Sequence, residues 1–518
     1  MSESEGEWSP WGGDEEEETQ RPLITTGQQH HSIAAADMAD PILTTPLVGS
    51  RPARAPQYIT ALAATLGALS MGTVLGFSSP AGAQLIANST AGDALHLSQD
   101  QNSWFSSIMN VGALAGGPVG GLCLNALGRR GTMMASVAPF ILGWLLIALA
   151  RNFATLMVGR VLTGLCTGIT SMAVPTYIAE YASADIRGTL GSGFQLMVTI
   201  GVVYSYVLGA VVPSWRWLAG LCIVPLILYL VLMFFAKESP SFLLLHGKDE
   251  RAAAALQYFR GKDTHIQTEL DMMRSSVEER RRNKASFSDL MKPYVLKPFF
   301  ISLSLMFFQQ FSGVNGVLFN LANIFSTSGS TLSDNVSSII VGLVQVAATF
   351  LATVLMDKAG RKILLIASSS IMAVSLVALG EFFYMKEGDE EWAEQTLGWL
   401  PLLSLMVFIA AFSIGYGPIP WLMMGELFPS NVKELAASQA TMFNWTLAFV
   451  VTFIFTPLES SIGDAWMYWI FAGLCVLNLV FCVTVVPETK GKTLEEITAS
   501  FGAPAPPPVP ERRNSSDC

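Results

Sequence analysis

Residues 103–150 read SWFSSIMNVGALAGGPVGGLCLNALGRRGTMMASVAPFILGWLLIALA. Two apolar runs, 103–126 and 132–150, flank Gly128-Arg129-Arg130. A helix needs about 20 apolar residues to cross a hydrocarbon core, so each run is long enough to span. Outward from this pair the pattern recurs at 58–80, 154–180, 189–212, 216–236, 297–323, 336–356, 362–384, 398–424, 435–458 and 466–486, twelve runs in all. The chain has 518 residues, 51% hydrophobic and 14% charged, with a mean hydropathy of +0.45. Soluble domains carry about 25% charged residues, which argues against a soluble enzyme. The expected fold is an all-α membrane protein of twelve transmembrane helices in two six-helix halves, with cytoplasmic helices between them.

Net charge is −10, and Glu15, Glu16, Glu17 and Glu18 concentrate the acid in the N-terminal tail. No nucleic-acid footprint is visible. Cys123, Cys166, Cys222, Cys475 and Cys482 lie in apolar runs and Cys518 ends the chain, without CxxC spacing. Disulfides and a metal site are not expected, and neither is a cofactor.

Lys and Arg mark cytoplasmic connections. Arg129, Arg130, Arg187, Lys358, Arg361, Lys362, Lys433 and the basic stretch after the sixth run fall on one side, against Arg151, Arg216 and Lys386 on the other. Both termini are therefore expected in the cytoplasm. The domains read as a disordered acidic tail 1–57, a six-helix half 58–236, cytoplasmic linker helices 237–296, a second six-helix half 297–486 and a tail 487–518. Asn88-Ser89-Thr90 lies in a loop without Lys or Arg, which makes Asn88 a glycosylation sequon on the outside.

The halves echo each other. Gly128-Arg129-Arg130 matches Gly360-Arg361-Lys362; Glu180 with Arg187 matches Glu426 with Lys433; Glu238-Ser239-Pro240 matches Pro487-Glu488-Thr489. Six-span halves related in this way mark the major facilitator transporters. The charges stand at cytoplasmic helix ends. Pairs drawn from Arg129, Arg130, Glu180, Arg187, Glu238, Asp357, Arg361, Lys362, Glu426, Lys433 and Glu488 are expected to lock the halves together when the inner side is closed and to part when it opens. Ordinary positive-inside charge is the alternative.

Further motifs carry a finer resemblance: Gly159-Arg160, Pro175-x-Tyr177-x-x-Glu180, Arg187-Gly188, Gln309-Gln310-x-Ser312-Gly313-x-Asn315, Gly417-Pro418-Ile419-Pro420-Trp421 and Pro487-Glu488-Thr489-Lys490-Gly491. Together they cover nearly all of 58–500. The chain resembles the sugar porter branch of the major facilitators, and within it the intracellular-type facilitative glucose transporters and the insect facilitated trehalose transporters. The resemblance implies sugar contacts from Gln195, Gln309, Gln310, Asn315, Trp421, Asn444 and Trp445.

The chemistry of these residues agrees. A sugar is neutral and covered in hydroxyls; amides offer donors and acceptors without a charge to desolvate. Mid-membrane amides are costly unless they face a cavity, and Gln345 joins the set on that ground. Helix–helix glue is the alternative. Gly313 and Gly316 allow a local break that would bring Gln309, Gln310 and Asn315 together. Trp421, ahead of Trp445, is suited to stack on a pyranose. Pro418 and Pro420 with Gly415 and Gly417 mark a discontinuous tenth span.

Several positions depart from the family pattern. Asn125 stands where an acid is usual, and Lys433 where Arg is usual. Ser413, Gln345 and Asn320 replace residues near the expected site, which leaves room for a disaccharide or another hexose. The first span has no Asp, Glu, His, Lys or Arg, so a passive uniporter is expected over a proton-coupled symporter; a sugar sensor and a membrane enzyme rank lower. Arg160 is expected to be structural. The plasma membrane is the default location, an endosomal or lysosomal pool the alternative. Glu18 with Leu23-Ile24 reads equally as an acidic dileucine signal for sorting adaptors and as a chance pair. The remaining partners expected are the lipid bilayer and a small sugar.

Overall fold

The computed structural model describes residues 53–86, 95–183, 185–282, 287–329, 332–429, 432–492 and 494–502. Asn88, the tail signal at Glu18, Leu23 and Ile24, and most of both tails lie outside them, as does the side chain of Asp357.

The elements are α1 (Ala55–Ile86), α2 (Gln99–Ala148), α3 (Phe153–Tyr181), α4 (Arg187–Val211), α5 (Trp215–Leu221), α6 (Ile223–Phe235), α7 (Pro240–Leu245), α8 (Asp249–Arg260), α9 (Gln267–Arg282), α10 (Pro293–Phe311), α11 (Val314–Ser328), α12 (Asp334–Ala359), α13 (Arg361–Gly388), α14 (Glu390–Leu397), α15 (Leu400–Ile414), α16 (Ile419–Leu427), α17 (Lys433–Ile462), α18 (Asp464–Thr484) and α19 (Leu494–Ser500). Among the described residues, ten stretches are long and apolar enough to cross a membrane by themselves. The twelve runs of the sequence map onto them with two differences. The second and third runs form one 50-residue helix, α2, bent at Gly128, where φ is +82°. The seventh run is split into α10 and α11 by Ser312 and Gly313 (φ +84°).

Glycine sets the tightest helix pairs. A Cβ at Gly112 would stand 2.2 Å from the carbonyl oxygen of Val161, and one at Gly164 2.0 Å from that of Met109. Gly116 and Gly168 repeat the contact one turn on. Four-residue glycine spacing on both partners lets α2 and α3 touch backbone to backbone.

One end of the bundle carries Arg129, Arg361, the start of α1 and α19; it is called here the basic end, and the opposite one the far end. Hydrogen bonds join the halves toward the far end. Asn110 Nδ2 donates to Thr452 Oγ1 (3.0 Å), Tyr206 Oη to the Leu318 carbonyl (2.9 Å), and the Ala322 N–H to Ser79 Oγ (3.1 Å). Packing of α4 within the first half loosens toward the basic end. A Cβ at Gly201 would meet the Leu69 carbonyl at 2.1 Å, whereas at Gly188, Gly191 or Gly193 it would meet nothing within 4 Å. Among the described residues the hydrogen bonds between the halves gather at the far end, which is closed.

Candidate sugar site and charge cages

The break in the seventh run decides the site. Gly313 takes a left-handed conformation that other residues rarely adopt, and a Cβ there would stand 3.0 Å from the Phe471 ring. That turn brings Asn315 back over Gln310: Asn315 Nδ2 donates to Gln310 Oε1 (2.6 Å). Gln310 Nε2 donates to Asn444 Oδ1 (3.0 Å), and Asn444 Nδ2 to Gln309 Oε1 (2.8 Å). Gln309 Nε2 ends the relay on the carbonyls of Tyr416 (2.7 Å) and Gly417 (3.0 Å). Those carbonyls are available because the tenth run breaks between α15 and α16. Gly316 has a different part from the expected one: it stays helical, and its missing Cβ admits the Phe455 ring.

Gln309, Gln310 and Asn444 are buried, while Asn315, Trp421 and Gln195 are half-buried. Gln345 and Trp445 are buried, and Gln345 Oε1 and Trp445 Nε1 have no hydrogen-bond partner among the described residues; the same holds for Ser413 Oγ. Buried polar atoms are rarely left so. The structure links Gln309, Gln310, Asn315 and Asn444 by direct hydrogen bonds; Gln195, Gln345, Trp421 and Trp445 lie outside that chain of bonds. Asn320 is spent on its own helix, donating to the Gly316 carbonyl (2.9 Å).

The relay is neutral. The one buried arginine of the first half, Arg160, is fully enclosed and donates to the carbonyls of Phe105 (3.1 Å) and Val74 (3.2 Å) and to Ser78 Oγ. It ties α1, α2 and α3 together, the structural role expected of it.

At the basic end the repeated charges form two matching cages. In the first, Glu238 accepts backbone N–H groups of Arg129 (3.0 Å), Arg130 (3.1 Å) and Ser239 (2.9 Å). Arg129 Nη2 pairs with Glu180 at 2.5 Å, and Ser239 donates to the other oxygen of Glu180. Arg130 reaches the carbonyls of Met233 and Phe234. In the second, Glu488 accepts from Arg361 (3.1 Å), Lys362 (3.0 Å) and Lys490 (2.9 Å). Arg361 pairs with Glu426 at 3.0 Å, Thr489 donates to Glu426 (2.6 Å), and Lys362 reaches the Val483 carbonyl. Each cage caps a helix N-terminus with a carboxylate, where exposed N–H groups favour an anion. Burial pushes the Glu488 carboxyl up, but the N–H groups of Lys490, Arg361, Lys362 and Thr489 outweigh it and hold the carboxyl below its ordinary value.

In the state described, the cage pairs are internal to each half. Arg129–Glu180 and Arg361–Glu426 close within a half and do not bridge the halves. The physical reason is the capping geometry: each arginine follows a positive-φ glycine, Gly128 or Gly360, that directs it back along its own half. Arg187 is exposed and donates to the Ala182 carbonyl (3.1 Å). Lys433 lies beside Gly425, next to Glu426. Sequence reasoning missed Ser239 and Thr489 as cage members. The signal was present, a hydroxyl directly after the glutamate in both repeats. It also missed the Tyr416 and Gly417 carbonyls, which no side-chain pattern announces.

Comparison with known proteins completes the picture. The family described as Sugar (and other) transporter matches residues 59–501. A facilitated trehalose transporter of Apis mellifera ligustica is 42% identical, over 86% of this chain and 88% of its own length. The corresponding transporter of Anopheles gambiae is 41% identical over 85% of this chain, a match that spans only 55% of that relative. The solved structure of the proton:xylose symporter XylE bound to 6-bromo-6-deoxy-D-glucose superposes with a TM-score of 0.71 at 28% identity, covering 86% of this chain and 99% of that one. With twelve apolar runs, a fold shared with a major facilitator and a family match across both halves, the chain belongs to the sugar transporter family.

Proposed function

We propose that the protein is a facilitative carrier that moves a neutral sugar, trehalose or a hexose, down its gradient by alternating access. The observation that carries this reading is the amide relay Asn315–Gln310–Asn444–Gln309, uncharged and, but for the half-buried Asn315, buried. Its members can trade their mutual hydrogen bonds for bonds to sugar hydroxyls with no charge to desolvate. Trp421, Trp445 and Gln345 complete the site in this reading, with Trp421 stacking on the ring. The trehalose transporters among the relatives support the disaccharide as first candidate.

The binding should be weak. A millimolar dissociation constant is worth about −4 kcal/mol, a few net hydrogen bonds plus a stacked ring. A carrier that must release its load gains nothing from more.

The basic end faces the cytoplasm in this reading, by the excess of Lys and Arg there, and both termini lie on that side. The far end, closed in the chain as described, then faces outward. The two cages act as rigid corners that let each half rock as a unit, with Asp357 and Lys433 beside the second cage in sequence. Asn88 is the glycosylation site on the outside, and the plasma membrane is the proposed location. Sorting adaptors acting on the N-terminal tail would give an endosomal pool.

The likeness to a proton:xylose symporter favours a second reading, proton coupling. Against it stands α1, which has no titratable residue over Ala55–Ile86 apart from Tyr58. Uptake of labelled trehalose and glucose into proteoliposomes, with and without an imposed proton gradient, separates the two. The uniporter equilibrates its sugar and ignores the gradient. Accumulation driven by the gradient would replace it with the symporter.

A further inference from the structure

The closed far end holds a row of polar atoms that the amide relay does not use. Along α2, Asn102, Ser106 and Asn110 recur at every fourth residue, about 6 Å apart along the axis, and each is at most 2% exposed. Asn102 Oδ1, Ser106 Oγ and Asn110 Oδ1 have no hydrogen-bond partner among the described residues, and neither does Gln84 Oε1 on α1. The two helices meet there: a Cβ at Gly82 of α1 would stand 2.8 Å from Asn102 Oδ1.

The orientation of Asn110 is fixed by its neighbour. Thr452 gives its hydroxyl proton to the Ala448 carbonyl (2.7 Å), so its oxygen can only accept from Asn110 Nδ2. The amide carbonyl of Asn110 is therefore the group left without a donor. Thr452 belongs to the other half, so this bond lies on the seam that must part when the far end opens.

Buried acceptors without donors are rare in closed interiors. Here three occur on one helical strip, with Gln84 Oε1 a fourth on the neighbouring α1. All are neutral oxygens that can accept a hydrogen bond, with no charged side chain among the four. They do not suit an anion. They suit a ligand that brings several hydroxyl donors, which is the chemistry of a sugar.

We infer that Asn102, Ser106 and Asn110, with Gln84, form a second sugar-binding surface in the far-end pathway, used only when that end is open. Sugar hydroxyls donate to the row on the way to the amide relay. As the halves close, the Asn110–Thr452 bond shuts over it. The inference rests on the sugar-carrier reading and adds a site to it.

The test uses the full chain in vesicles of known orientation, exchanging labelled sugar at equilibrium. The probe is glucose tethered to a polyethylene glycol chain, which can bind but cannot cross. It is applied to one side at a time. Asn102→Leu and the milder Ser106→Ala are each expected to raise the inhibition constant of far-side probe about tenfold, the loss of one hydrogen bond to a neutral group. The constant for basic-side probe stays at the wild-type value, which also shows that the variant is folded. A shift of equal size on both sides, or none on either, overturns the inference while leaving the carrier reading intact. Absence of sugar exchange by the wild-type chain overturns the carrier reading and this inference with it.

Discussion

The two halves carry the same carboxylate cage at the basic end in its main members: Glu238 and Glu488 on helix N-termini, Glu180 and Glu426 on arginines, Ser239 and Thr489 closing the ring. They do not share the site. The linked amides all come from the second half, on α10, α11 and α17, and their anchor is the broken tenth run. The first half is instead packed on glycine, with α2 and α3 in backbone contact and Arg160 sealed between helices. Duplication has kept the part both halves need, a rigid corner. It has let chemistry diverge where only one half must grip the ligand.

The comparison can be broken most severely at the glycines. Gly164→Val puts a side chain where a Cβ alone would already meet the Met109 carbonyl at 2.0 Å. Overpacking costs about 1–3 kcal/mol when side chains can adjust, and backbone cannot. Little folded protein should survive, read as the monodisperse fraction in detergent. Gly473→Ala in α18, where nothing lies within 4 Å of the added Cβ, should behave as wild type.

Next in size is the relay. Asn444→Leu leaves Gln309 and Gln310 without their shared partner. At about 1–3 kcal/mol for a buried polar group left unpaired, Vmax/KM for sugar should fall about 10- to 100-fold. Gln195→Leu, on the half without a relay, should cost less than tenfold. Equal losses at both positions would contradict the asymmetry.

The cages supply a sharper comparison. Glu238→Gln and Glu488→Gln should lower the thermal midpoint by similar amounts, because each removes one charge from one cage. A large difference between the twins would mean that the two cages bear unequal loads.

The smallest effect is that of pH. The Glu488 carboxyl lies below its ordinary value in the folded chain. Its contribution is therefore complete above the ordinary glutamate pKa of about 4.3 and is lost only as pH falls through the lower folded value. Sugar equilibration should be flat between about pH 5.5 and 8, a range in which no relay amide titrates.

Much of this was legible in the sequence, but unevenly. Apolar length alone located the spans, and the paired motifs located the cage residues. What the motifs could not say is who pairs with whom: Arg129 and Glu180 are far apart in sequence, and only the bend at Gly128 turns them together within one half. The amide set was legible as composition. Its order along a relay was not, since it depends on the left-handed turn at Gly313 and on backbone carbonyls released between α15 and α16. The glycine spacing Gly112/Gly116 against Gly164/Gly168 was there to be read as a helix-packing pattern; within two long apolar runs it was masked by the stronger hydrophobic signal.

Tracer counterflow tests the central claim most directly. Proteoliposomes containing the full chain are loaded with unlabelled trehalose and diluted into a trace of labelled trehalose, with no proton gradient. A carrier that rocks around one neutral site gives a transient overshoot of label inside the vesicles, and Asn444→Leu abolishes it. Label that only rises to equilibrium without overshoot, or an overshoot that Asn444→Leu leaves unchanged, would contradict the account.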